Sequence, residues 1–354
     1  MNKEEKRDIY NNKIQRLIKE IDKIIKSSIS KADQARSIMA RLREEYIFAR
    51  NRYINKFKGE PFVTIDPYSE DVKPELEEVD TEGICDDDYC RIPAYSFGTF
   101  DNEAYFADDV FKIFWLIKEP FCENPDELFE AYWKNDSDYY NQAKSNSSWD
   151  NLEYNTHINL VRISQIVLVE LAKSKLHDTL NETTKSYLLK LKKEDFDDMN
   201  HVMKHICIIE VNHFPGLAFK TKKSKDALIG QWAQLNEELI KKLIEFYNPN
   251  VIIGGNTLGH FFPEGYKLIG TGNDHSFDHI KEGIKNGEKI FKKFGLTNLK
   301  DKKENVKIKN DYIFNTEEGI VLVDSSHPSR YSKEQSAENS KQIRAFIEEK
   351  KTGL

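Results

Sequence analysis

Residues 111–121 of the chain are FKIFWLIKEPF. Apart from Lys112 the run is apolar as far as Ile117, shows no alternation, and stops at Lys118-Glu119-Pro120. A short continuous apolar run closed by Pro is the pattern of a strand covered on both faces, as in parallel sheets. Such strands deliver their next residues to the carboxyl edge of the sheet, where open α/β proteins hold their ligands. Here those residues are a Lys and a Glu, then a Pro that stops further pairing. A carboxylate in that position is costly to desolvate unless it has a task or a partner.

Three more runs of the same kind lie downstream. HICIIEVN ends at Asn212 with Pro215-Gly216 beyond it, VIIGG runs from Val251 to Asn256, and Ile320 to Asp324 leads into Ser325-Ser326-His327-Pro328. Asp311–Asn315 and a Glu-Glu-Gly turn precede the last of these and predict a β-pair. Helical spacing fills the intervals. Leu152–Leu171 reads as a buried helix, and Asp126–Trp133 and Thr183–Lys192 as shorter ones. Asp226–Tyr247 carries a stripe of Leu228, Trp232, Leu235, Leu239, Leu243 and Phe246, and Glu334–Lys350 is a polar C-terminal helix. Strands alternating with helices predict an α/β fold, a three-layer αβα sandwich around a four-stranded parallel sheet. Each buried run ends in a polar residue: Glu119, Asn212, Asn256, His327. If the runs are parallel, all four reach one edge.

The chain divides into a helical N-terminal extension (1–58), an acidic Pro-rich loop or linker (59–100) and the α/β domain (101–354). In the extension, Ile14, Leu17, Ile18, Ile21, Ile24 and Ile25 form one apolar stripe, and Ser27-Ser28-Ile29-Ser30 separates it from a second helix over Lys31–Phe57. Packing or self-association is the expected role of this hairpin, with a DNA-contacting arm as the sharper alternative.

A net charge of −7 conceals an asymmetry: residues 1–60 hold 16 Lys/Arg against 9 Asp/Glu, and residues 61–140 hold 5 against 22. This is not a uniformly basic nucleic-acid binder. No apolar run approaches the roughly 20 residues of a membrane span, and the start MNKEEKRDIYNNK lacks the core of a signal peptide. A cytoplasmic location is expected, with no membrane partner. Cys85, Cys90, Cys122 and Cys207 make no disulfide framework and no zinc spacing. Asp86-Asp87-Asp88 reads as a solvated acidic loop, so no metal is expected. Gly254-Gly255-Asn256 lacks the Gly-Lys-Ser/Thr of a phosphate loop and reads as strand-to-loop geometry.

At the strand ends the chain resembles the uracil-DNA glycosylase superfamily, as a divergent member. Ile117-Lys118-Glu119-Pro120-Phe121 is similar to that family's motif after the first strand, Gly-Gln-Asp-Pro-Tyr in its best-studied branch. Asn212 in IIEVN matches the base-reading Asn at the end of the second strand. His327-Pro328-Ser329-Arg330 matches the last motif, His-Pro-Ser and a variable residue. The likeness covers roughly residues 105–335 in order, while residues 1–100 have no counterpart in the minimal family fold. Three departures stand out: Lys118 replaces a neutral Gln, Glu119 is one methylene longer than Asp, and Phe121 replaces the Tyr that excludes the thymine methyl. Some branches carry an iron–sulfur cluster on four Cys; the spacing here does not match, and no cofactor is expected.

The resemblance implies a DNA N-glycosylase, a hydrolase that removes an extruded uracil-like, damaged or modified base in repair or antiviral defence. It is expected to be monofunctional, Lys118 being the one residue that could add lyase activity. Breaking the N-glycosidic bond builds positive charge on the sugar and negative charge on the base. Glu119 suits the first and can orient water. His327, neutral and donating, suits the second. Asn212 can read a base edge with donor and acceptor, and Phe121 can stack on the base, with Tyr132 and Trp133 as alternatives. Lys118 can bind phosphate or hold Glu119 ionised. Ser329, Arg330 and Tyr331 are placed to grip DNA, Arg330 by bidentate phosphate contact. Two other classes fit the same residues: a non-catalytic nucleic-acid-binding module, and a hydrolase of free nucleosides or nucleotides.

Overall fold

The order of strands in the sheet reflects which segments are apolar on both sides. The computed structural model describes residues 3–42, 97–99, 101–108, 110–117, 156–173, 200–211, 222–255, 257–258, 306–308, 311–315, 320–325, 327–328 and 333–352. Helix α1 spans Lys3–Ile25, and α2 is described over 31–42. Strand β1 is Phe97–Thr99, with the short helix α3, Asn102–Tyr105, after it. Strand β2 is Ile113–Ile117, helix α4 Thr156–Ala172, helix α5 Asn200–Met203 and strand β3 Ile206–Glu210. Helices α6 (Lys222–Leu235) and α7 (Glu237–Tyr247) lead to β4, Val251–Gly255. Strands β5 (Val306–Ile308), β6 (Asp311–Asn315) and β7 (Val321–Ser325) precede α8, Lys333–Thr352.

The seven strands among the described residues form one sheet in the order β1-β3-β2-β4-β7-β6-β5. The four expected strands are adjacent, and β3-β2-β4-β7 run parallel. Every residue of these four is buried. Alternation sends their side chains to two separate cores. Ile113, Trp115 and Ile117 join Ile206, Ile208, Val251, Ile253, Val321 and Val323 under α4 and α8. Phe114 and Leu116 join Cys207, Ile209, Ile252 and Leu322 under α1, α2, α6 and α7. The fold is α/β, with helices packed on both faces of a mostly parallel sheet.

The sheet is wider than the four strands expected from sequence. Antiparallel β6 extends it beside β7, as the predicted β-pair requires, and β5 pairs with β6. On the other side β1 pairs antiparallel with β3, so the last residues of the stretch read as a linker are an edge strand. Strands of three residues are too short to show alternation, which is why β1 and β5 have no signature. The stretch read as one helix over Asp226–Tyr247 is two, broken at Asn236. Its apolar stripe passes through the break because both helices face the same core.

The N-terminal hairpin shares that core. Leu17, Ile21, Ala35, Ile38 and Leu42 are buried with Leu239, Leu243 and Phe246. Ser30 caps α2, its Oγ accepting from the Asp33 N–H at 3.1 Å and donating to the Asp33 carboxylate at 2.7 Å. The Gln34 amide donates to the carbonyls of Ile25 (2.9 Å) and Ser27 (3.0 Å), closing the end of α1. Lys242 of α7 pairs with Asp22 of α1 at 2.7 Å. Gly98 holds a φ of +93°, and a Cβ there would lie 2.3 Å from Sδ of the buried Met39 on α2. No helix among the described residues is long and apolar enough to cross a membrane.

Candidate active site at the carboxyl edge

Parallel pairing sends the ends of β2, β3, β4 and β7 to the same edge of the sheet. The last residues of these strands are Ile117, Glu210, Gly255 and Ser325. His327, half-buried, comes two positions after β7. Lys118, Glu119, Phe121, Asn212, Asn256, Ser329, Arg330 and Tyr331 lie outside the described residues, as do Tyr132, Trp133, Cys85, Cys90 and Cys122. The sequence nevertheless attaches Lys118-Glu119 directly to Ile117, and Asn212 to the buried Val211.

Two of these strand ends meet over a glycine. A Cβ built on Gly255 would lie 2.9 Å from Cδ of Pro328 and 3.5 Å from Cγ2 of Ile117. The residue after His327 and the residue two before Glu119 therefore approach the same point of β4. A side chain on Gly255 would separate them, so the Gly254-Gly255 pair has a packing reason. The end of β2 and the segment just after β7 are thus neighbours across β4, although 210 positions separate Ile117 from His327 in the chain.

Backbone groups at this edge, where the ladders run out, are completed by one further backbone bond and by two side chains. The Val211 N–H donates to the Ile117 carbonyl at 2.8 Å. The Thr257 hydroxyl, fully buried, donates to the Leu116 carbonyl at 2.7 Å. The Asn236 amide, also buried, donates to the Val211 carbonyl at 2.9 Å. Buried carbonyls need such partners, and these fix the chain just before Lys118 and just before Asn212. Neither Thr257 nor Asn236 stands out in the sequence: a Thr in a loop and an Asn within an apolar stripe are common. The available signal is a polar residue at a helix position otherwise occupied by core residues.

Two carboxylates at the same edge carry no sequence signal either. Glu210 is fully buried and shares the face of Ile206 and Ile208, under α4 and α8. Asp324 is 2% exposed and shares the face of Leu322, under the opposite helices. The sheet lies between them, so they do not form a carboxylate pair.

The other edge is structural. The His205 ring places Nδ1 2.7 Å from the Phe111 carbonyl, which can only accept, so that nitrogen carries the proton. The Asn250 side chain accepts from the Lys112 N–H at 2.8 Å. The Lys112 ammonium lies 5.6 and 5.5 Å from the ring centroids of Tyr105 and Phe106, and burial pulls its pKa down. Cys207 is wholly buried and burial pushes its thiol up, the behaviour of a packing residue and not of a nucleophile. Among the described residues no group of three or more His, Cys, Asp or Glu could hold a metal ion. Comparison with protein-family models, with curated proteins and with solved structures returns no match for this chain.

Proposed function

We propose that the chain is a DNA N-glycosylase of uracil-DNA glycosylase type that hydrolyses the bond to one extruded base at the carboxyl edge of its sheet. The observation that carries this reading is the approach of Ile117 and Pro328 to one point above Gly255. It brings the chain bearing Glu119 next to the chain bearing His327. Glu119 stabilises the sugar cation and directs water, and His327 donates to the leaving base. Asn212 reads the base edge, Phe121 stacks on it, and Lys118, Ser329, Arg330 and Tyr331 engage the strand. Extruding the base costs a few kcal/mol, least for a mismatched or damaged pair. The parallel order β3-β2-β4-β7 and the helices on both faces support the αβα family architecture as well.

Oligonucleotides carrying uracil, hypoxanthine, 5-hydroxymethyluracil or 5-hydroxymethylcytosine, treated afterwards with alkali to cleave at abasic sites, test the proposal. Cleavage is expected with at least one base and is lost in Glu119→Gln and in His327→Ala. Activity that survives both changes together rejects the assigned roles. The 5-to-22 balance of basic to acidic residues over 61–140 favours a second reading, a hydrolase of free nucleosides, since that segment repels a polyanion. Base release from nucleosides but from no oligonucleotide would select it.

A further inference from the structure

We infer that the outer face of α1 is a phosphate-binding surface that holds duplex DNA without regard to sequence; this rests on the DNA-binding part of the reading above. Arg16, Lys19, Lys23 and Lys26 recur at spacings of three and four, so they form one stripe. All four are exposed. Lys26 lies one residue past the helix but keeps its place on the stripe, because its N–H still donates to the Asp22 carbonyl at 3.1 Å. Leu17 and Ile21, buried in the core, hold the opposite face. At a rise of about 1.5 Å per residue the stripe extends about 15 Å, with a cation on every turn.

The counter-charges are turned the other way. From Ile9 to Lys31 the chain holds six Lys/Arg and two acids, Glu20 and Asp22. Glu20 pairs with Arg41 of α2 and Asp22 with Lys242 of α7, so both are engaged by neighbouring helices. Lys19, Lys23 and Lys26 make no ion pair among the described residues. A helix face that served solubility alone would mix acids with its lysines at the spacings that support a helix. A stripe of one sign repels a second copy of itself, which opposes self-association through this face. The apolar side of α1 is committed to the core, which leaves it nothing to insert into a bilayer. Duplex DNA, with one negative charge per about 1.7 Å of its axis, is the complementary partner.

The test measures DNA affinity apart from base release, by fluorescence anisotropy of a labelled duplex of arbitrary sequence across a range of salt. The slope of log affinity against log salt is about −0.9 for each phosphate neutralised. The triple variant Lys19→Gln, Lys23→Gln, Lys26→Gln is therefore expected to flatten that slope by about 2.7. A fourfold rise in salt then weakens the unaltered chain about 40-fold more than the variant. Gln keeps the helix, and each single change, should the triple variant not fold, carries about one third of the shift in slope. A control that removes three charges from other helices (Lys173→Gln, Lys241→Gln, Lys341→Gln) should leave the slope as it was. An unchanged slope in the stripe variant, or an equal change in the control, overturns the inference. Loss of binding to phosphatidylserine vesicles with an unchanged DNA slope assigns the face to a lipid surface and overturns it too. Base release by a chain whose slope ignores the stripe leaves the glycosylase reading standing alone. A slope that responds in a chain releasing no base leaves the inference and sinks the glycosylase, and no DNA binding by the unaltered chain overturns both.

Discussion

The hydroxyl of Thr257 donates a 2.7 Å hydrogen bond to the carbonyl of Leu116, joining the segment after β4 to the end of β2. Both groups are fully buried, so the carbonyl has no recourse to water. Thr257→Val keeps the shape and removes the donor. The expected cost is about 1–3 kcal/mol, the penalty for a buried group left unmatched, measured as a lower urea midpoint. Thr257→Ser should retain most of the stability. On the proposed glycosylase reading, base release should fall more in the Val form than its stability loss explains, because β2 is followed in the chain by Lys118 and Glu119.

Gly255→Ala tests the contact above β4. The new methyl would meet a ring carbon of Pro328 at 2.9 Å, and a proline ring cannot swing away as a flexible chain end can. Overpacking of this kind costs about 1–3 kcal/mol. The expected result is a folded chain, melting somewhat lower; on the proposed glycosylase reading, base release drops by a larger factor than in Ala variants elsewhere in the core. Equal activity would separate the His327 segment from the chemistry.

Trp115 and Ser164 offer a test of the opposite core. The indole N–H donates to the Ser164 hydroxyl at 2.9 Å, and the hydroxyl donates in turn to the Leu160 carbonyl at 2.9 Å. Ser164→Ala strands a buried N–H and should cost about 1–3 kcal/mol. Adding Trp115→Phe removes the stranded donor, so the double variant should be more stable than the sum of the single changes predicts. Chemical denaturation of the four chains reads the coupling.

Gly98→Ala should destabilise the junction of hairpin and sheet. The residue sits at φ +93°, where a side chain is strained, and its Cβ would collide with Met39. Strain of this kind costs on the order of 1–2 kcal/mol before the collision is added. Thermal melting of Gly98→Ala, alone and with Met39→Ala to relieve the clash, separates the two contributions.

The Lys242–Asp22 pair gives a pH signature. The hydrogen bond from Lys242 to Asp22 raises the Lys242 pKa above its ordinary value. A raised folded pKa contributes stability that is complete below the unfolded value and lost as pH rises through the folded one. The contribution is therefore present at neutral pH and fades only in strongly alkaline solution. Solvent screening at a pair a quarter to a third exposed keeps it below about 1 kcal/mol. Lys242→Met should lose that small amount at neutral pH and converge on the unaltered chain at the alkaline end, as read by urea titration across the pH range.

What could be read in the sequence was whatever left a periodic mark. Ile113–Ile117, Ile206–Glu210, Val251–Gly255 and Val321–Ser325 are buried on every residue because both faces are covered, and all four were legible. The stripe of α1 was legible too, but not its destination: periodicity tells which face is buried and not against what. Asn236 escaped because the residues around it keep helical spacing. In the C-terminal helix, Ser336, Asn339 and Ser340 are buried although their composition reads as solvent-facing. Of the site, the strand ends could be placed once parallel pairing was assumed. The hydrogen bonds that complete them could not, since Thr257 and Asn236 reach residues far away in the chain.

The central place of β2 between β3 and β4 has a price during synthesis. Its wholly apolar ribbon leaves the ribosome long before residues 206–210 and 251–255, its two neighbours, exist. At about 5–20 residues per second the nascent chain carries an uncovered sticky segment for several seconds. Yield in a cell should therefore respond to chaperone supply and growth temperature, even where the finished molecule is stable.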